Sequence, residues 1–153
     1  MNITAEQIKT LRTQTGVSVM QCRMALEEAG GDEKKALEIL REKSAEIVAK
    51  KSGRALGAGT VAAYIHTNGN VGALVELLCE TDFVAKNDLF RESTREIAMH
   101  AAAMKPASNE ELLAQESFKR PGLTINQIVA ELSQKFGERV ELGRFAVFSS
   151  VNP

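Results

Sequence analysis

Apolar residues follow helical spacing through the first third of the chain and strict alternation in the middle, and this change of period separates two kinds of structure. Thr4-Ala5-Glu6-Gln7 has the form of a capping box: the threonine hydroxyl accepts from the third backbone amide while the glutamine reaches back. Ile8 and Leu11 then make a short apolar stripe that stops before Thr15-Gly16. Ser18-Val19-Met20-Gln21 repeats the device, and Val19, Cys22, Ala25, Leu26 and Ala29 recur at helical spacing until Gly30-Gly31 interrupts them. Asp32 caps a third stripe through Ala36, Leu37, Leu40, Ser44, Ile47 and Val48. Three helices of about ten residues each are therefore expected as a bundle over residues 1–50, near the lower size limit for a unit that folds alone.

Beyond Ala49 the sequence reads Lys50-Lys51-Ser52-Gly53-Arg54-Ala55-Leu56-Gly57-Ala58-Gly59. Glycine weakens regular structure there, so residues 51–59 read as a linker. Residues 60–66 alternate, Val61, Ala63 and Ile65 against Ala62, Tyr64 and His66, and Val71, Ala73, Val75, Leu77 and Cys79 share one face of a returning strand. Between them stands Asn68-Gly69, the pair favoured where both turn residues take positive φ, and the whole reads as a β-hairpin. Asn87 caps a long helix with Phe90, Ile97, Ala101 and Met104 on its buried side, until Pro106 ends it. A short helix at 109–115 follows, Pro121-Gly122 turns the chain, and Thr124 opens a stripe of Ile125, Ile128, Val129, Leu132 and Phe136. The last run alternates again, with Val140, Leu142, Ala146 and Phe148 opposed to Phe145 and Val147. A hairpin cannot bury its apolar face alone, and two long amphipathic helices need a surface to cover. The expected fold is α+β: the helical bundle, then a core domain over residues 60–153 built on a three-stranded antiparallel sheet (60–66, 71–79 and 140–149) with helices on one face.

Composition narrows the chemistry. The 44% hydrophobic and 25% charged residues are ordinary globular values. With 19 basic and 20 acidic residues the net charge is −1, which supplies no broad counterion-releasing surface and argues against direct nucleic-acid binding. No apolar run approaches the roughly 20 residues of a membrane span and nothing amino-terminal resembles a signal peptide, so a cytoplasmic protein without membrane contact is expected. Cys22 and Cys79 lie on apolar faces, outside any Cys-x-x-Cys spacing, and read as buried thiols. There is no phosphate loop, no dinucleotide fingerprint and no His-Glu-x-x-His, and Gly57-Ala58-Gly59 has the wrong spacing for any of them. His66 and His100 lack carboxylate or thiolate partners at paired spacing and read as core or rim residues. No catalytic residue, metal or cofactor is expected, and the chain is not read as an enzyme.

One stretch is poorly spent if it only turns the chain. Glu80-Thr81-Asp82-Phe83-Val84-Ala85-Lys86-Asn87 places a carboxylate and a large aromatic side by side where a strand gives way to a helix, a corner that Gly, Asn or Pro would make more cheaply. From the residues alone two readings stand: Asp82 caps a short helix and Phe83 fills the core, or the pair reaches outward. Thr81-Asp82-Phe83-Val84-Ala85-Lys86 resembles the signature of the elongation factor Ts family. Leu11-Arg12-Thr13-Gln14-Thr15-Gly16-Val17-Ser18-Val19-Met20-Gln21-Cys22-Arg23-Met24-Ala25-Leu26 resembles the amino-terminal module of the same family, a bundle similar to a ubiquitin-associated domain. The resemblance covers residues 2–105 well and 123–149 more loosely.

The resemblance implies a guanine-nucleotide exchange factor of translation elongation, which binds elongation factor Tu in its GDP form and promotes GDP release by disturbing the Mg2+ and phosphate site. It implies that Thr81, Asp82, Phe83 and Val84 enter the partner's nucleotide domain beside that site, and that Arg12, Val19 and Met20 grip a helix of the same domain. Val19 stands where the family usually has methionine, which reduces its contact. Long members of the family carry two copies of the sheet-containing core and a helical hairpin. This chain has room for one copy, so a homodimer paired through the sheet is expected, with the closing strand over 139–149 at the seam. Ala146 stands there in place of a cysteine, so no intersubunit disulfide is expected, and the segment 105–124 is shorter than in the short relatives. A rival reading is a non-catalytic binding adaptor: the helical bundle captures a partner, the core serves dimerisation, and the signature is dispensable.

Overall fold

Thr4, Ser18 and Thr124 open α1 (Ala5–Thr15), α2 (Val19–Glu28) and α7 (Ile125–Phe136) with reciprocal capping boxes, each hydroxyl accepting from the third amide and each third residue, a glutamine, bonding back. Asp32 caps α3 (Glu33–Lys51) through the amides of Lys34 and Lys35. The computed structural model describes residues 2–151, so Met1, Asn152 and Pro153, at the outer ends of the two expected domains, lie outside the described residues. The fold is α+β. Three helices precede an antiparallel sheet in the order β1 (Ala58–Ile65), β2 (Val71–Cys79), β3 (Glu141–Ser149). Between β2 and β3 run α4 (Asp82–Ala85), α5 (Asp88–Met104), α6 (Asn109–Ala114) and α7. Among the described residues no helix is long and apolar enough to cross a membrane.

Buried side chains gather in two clusters. One lies among the first three helices and includes Leu11, Val17, Cys22, Leu26 and Leu40. The other lies between the inner face of the sheet and the later helices, with Val75, Leu77, Phe90, Ile97, Leu112 and Ile125 among its members. Phe90 meets Phe136 edge-on with ring centroids 6.0 Å apart, a favoured aromatic geometry. The clusters are joined where α3 packs across α7 and the buried Ser44 hydrogen-bonds Gln134.

That packing explains why α3 is 19 residues long rather than about ten: a tertiary surface, not propensity, supplies most helical stability. The connection expected over 51–59 shrinks accordingly to 52–57, with Lys51 still in α3 and Ala58 and Gly59 already in β1. In the hairpin only Gly69 takes positive φ, 73°. Asn68 acts through its side chain instead, its Oδ1 accepting from the Asn70 amide at 3.0 Å. Met104 faces solvent, because the buried residues of α5 end at Ala102.

The closing strand departs most from simple alternation. Between the Val75–Phe145 and Leu77–Leu142 pairs, Gly143 and Arg144 stand opposite the single residue Glu76, a β-bulge. One extra residue reverses the phase of a strand. Val140 and Leu142 face the core, and so do Phe145 and Val147, while Ala146 and Phe148 turn outward, so the expected grouping of Val140, Leu142, Ala146 and Phe148 holds only as far as the bulge. Gly143 has no side chain because the Glu76 side chain lies over it, and a Cβ there would collide with that carboxylate. The carboxylate accepts from the Arg144 amide at 3.1 Å and its guanidinium at 3.2 Å, which holds Glu76 below the ordinary carboxylate range. Val61, Ile65, Leu74 and Phe148, the last 74% exposed, leave apolar side chains across the outer face of the sheet.

Candidate functional site

The apolar run of β2 ends at Cys79, and Thr81 breaks the strand by capping α4, its hydroxyl accepting from the Val84 amide at 3.5 Å. Thr81, not Asp82, is the cap. A single helical turn advances about 100° per residue, so its four residues cannot all face one way. Val84 and Ala85 turn into the core, Val84 at 3% exposure, and the Phe83 ring is left outside at 85%. Asp82 is exposed beside it. Val84, expected among the contact residues, is buried within its own domain and anchors the turn. Thr60 Oγ1 donates to the Ala85 carbonyl at 2.7 Å and ties α4 to β1.

Two carboxylates, one from each side, tie the turn to the adjoining corner of the fold. Glu138 Oε2 accepts from the amides of Glu80 and Thr81, both at 3.0 Å, and its Oε1 accepts from the Thr81 hydroxyl at 2.5 Å. Glu80 answers across the same gap: its Oε1 accepts from the Arg139 amide at 2.8 Å and from the Arg54 guanidinium at 3.4 Å. The Arg139 amide is the main reason the Glu80 carboxyl lies below its usual range. Nothing in the sequence marks Glu138, which follows a helix-ending glycine and whose partners lie 58 and 57 residues away.

The helical residues singled out by resemblance are also outside. Ser18 sets the first turn of α2 so that Cys22, Ala25 and Leu26 are buried while Val19 and Met20 are exposed, Met20 at 72%. Val19 thus leaves the apolar stripe in which its spacing placed it. Arg12 is exposed in the last turn of α1. Met20 and Met24 line an open groove of about 430 Å3 whose other wall is Gln134, Lys135, Phe136 and Gly137. The last turn of α7 and its capping Gly137 therefore border the exposed methionines, and the next residue, Glu138, grips the signature turn.

The cysteines and histidines lie away from this turn's exposed face or are paired within the chain. Cys22 and Cys79 are buried free thiols, and burial pushes both above the ordinary thiol range. Among the described residues no three His, Cys, Asp or Glu side chains are grouped to hold a metal. His66 Nδ1 lies 3.1 Å from the Tyr64 hydroxyl at the hairpin end. His100 is buried, its Nε2 3.0 Å from Gln115 Oε1 and its ring stacked on Phe118 at 5.6 Å. Burial holds the His100 pKa below the ordinary histidine value, so the folded state keeps the imidazole neutral while the unfolded chain protonates first. Stability is expected to fall as pH drops through about 6.5. A urea midpoint lower at about pH 5.5 than at about pH 7.5 is the expected result, and an unchanged midpoint would contradict it.

Comparisons with known proteins bear on the same residues. The family model described as elongation factor TS matches residues 80–153. An elongation factor Ts of Trichlorobacter lovleyi is 43% identical over 150 residues, an alignment that covers 98% of the chain and 48% of that relative. One of Acetivibrio thermocellus is 45% identical, with 95% of the chain and 69% of the relative covered. One of Leptospira biflexa is 37% identical, with 97% and 98% covered. The chain thus spans about half the length of the first relative and nearly all of the third. The third alignment takes 193 positions against a chain of 153 residues, so that relative carries residues inserted with respect to the chain.

Proposed function

The chain belongs to the elongation factor Ts family, and on that premise we propose that it is a guanine-nucleotide exchange factor that binds elongation factor Tu·GDP and promotes GDP release. The observation that carries this reading is Phe83, held out at 85% exposure on a turn whose other side is locked into the core. A bound guanine nucleotide depends on Mg2+ bridging its phosphate oxygens to protein ligands. Mg2+ demands near-ideal octahedral geometry, so a small displacement of one ligand-bearing helix weakens the site steeply. Phe83 supplies the displacement by burying its ring in an apolar cleft of the partner, and Asp82 brings negative charge beside the metal's surroundings. Thr81 caps the turn that carries them. Arg12, Val19 and Met20 form the second foothold, on a helix of the partner's nucleotide domain. No bond is made or broken, no cofactor takes part, and the setting is the cytoplasm.

Exchange follows from linkage. A factor that weakens nucleotide binding must itself bind nucleotide-free partner more tightly, by the same ratio. Sedimentation of the chain with nucleotide-free and with GDP-loaded elongation factor Tu tests this, each tenfold of preference being about 1.4 kcal/mol. Equal affinities would favour the adaptor reading and remove exchange.

The apolar outer face of the sheet fits a second copy of the chain, as an isologous contact that presents Phe148 from both partners. Phe148→Asp buries an unpaired carboxylate twice in such a dimer and is expected to weaken it about a hundredfold or more. Equilibrium sedimentation should then find monomer where the wild type is dimeric. An unaltered dimer would move the interface elsewhere.

A further inference from the structure

We propose that Glu138 is a positioning residue for Phe83: its carboxylate fixes the start of α4 and so sets the direction in which the ring leaves the protein. The inference rests on the exchange-factor reading. A helix of one turn has no stability of its own, and the cap bond from the Val84 amide to Thr81 is long, at 3.5 Å. Val84 and Ala85 hold the end of the turn by burial. The beginning is held by Glu138, which accepts three hydrogen bonds from the two residues immediately before Asp82. Bonds to an ionised acceptor are the stronger kind. Glu138 is itself fixed from behind: its carbonyl accepts from the hydroxyl of the fully buried Ser133 at 2.5 Å, and Gly137 turns the chain into place with φ of 68°. A rigid path therefore runs from α7 through Glu138 to the residues that present the ring. A ring that must displace a helix in another protein acts only from a held base, since a mobile turn spends the contact on its own ordering.

Glu138→Ala is expected to lower the maximal rate of GDP release at saturating factor by about tenfold or more, through the loss of bonds to a charged acceptor. Glu138→Gln keeps an oxygen for the two amides and is expected to restore most of the rate. Hydrogen exchange separates positioning from general stability: the amides of Glu80 and Thr81 should lose protection in Glu138→Ala while those of Val75 and Leu77 keep theirs. If Glu138→Ala does not fold, Glu138→Asp, with the same charge and a shorter reach, is expected to slow release with the sheet amides still protected. A wild-type maximal rate in Glu138→Ala, or in Glu138→Asp where Glu138→Ala does not fold, alongside a slowed Phe83→Ala would overturn the role of Glu138 alone. A wild-type rate in Phe83→Ala as well would overturn the exchange-factor reading beneath it.

Discussion

Phe83→Ala is expected to remove most of the acceleration of GDP release from elongation factor Tu while leaving the chain as stable as before. Burying an aromatic ring in the partner is worth about 2 to 3 kcal/mol, and spent on displacement rather than on simple binding it corresponds to a rate loss of roughly 30- to 140-fold. The fold has little at stake, because the ring touches almost nothing of its own chain at 85% exposure. Substitutions at such sites stay within about 0.5 kcal/mol. Urea unfolding of the variant should superimpose on the wild type, so a slow exchange rate cannot be ascribed to a damaged protein. Asp82→Ala should act in the same direction and more weakly, since under the proposed function it removes charge from beside the partner's metal but leaves the Phe83 ring.

Phe90→Ala, seven residues further on, is expected to do the reverse. Phe90, in the first turn of α5, is fully buried and meets Phe136 edge-on. Its truncation leaves a cavity and costs about 3 to 5 kcal/mol, a large share of the roughly 5 to 15 kcal/mol that holds a domain together. The urea midpoint should fall sharply, and whatever fraction stays folded should still release GDP through an intact Phe83. A shift below about 1 kcal/mol would mean that Phe90 is not a central core residue. The two phenylalanines separate what the signature does from what holds it.

The features legible in the sequence are those set by neighbours in the chain. The capping boxes at Thr4 and Ser18 need only a hydroxyl and a glutamine three residues on, and both are present as read, while Thr124, read as the start of its helix, proves to carry a third. The inward face of β2, from Val71 to Cys79, follows from alternation alone. What was illegible depends on contacts between distant segments. The length of α3 is decided by α7, and the phase of β3 by a bulge opposite Glu76. Glu138 becomes visible only when the corner after α7 meets the corner after β2. The signature itself was half legible. The residues alone left Asp82 and Phe83 poised between cap and protrusion. The geometry of one turn resolves this, because Thr81 takes the cap and Val84 and Ala85 take the core, leaving no inward position for Phe83.

The most direct measurement is stopped-flow release of a fluorescent GDP analogue from elongation factor Tu mixed with an excess of the wild-type or Phe83→Ala chain. Strong acceleration by the wild type and little by a variant that still associates with the nucleotide-free partner is the expected outcome. Equal acceleration by both chains would contradict the wedge and with it the function assigned to the signature turn.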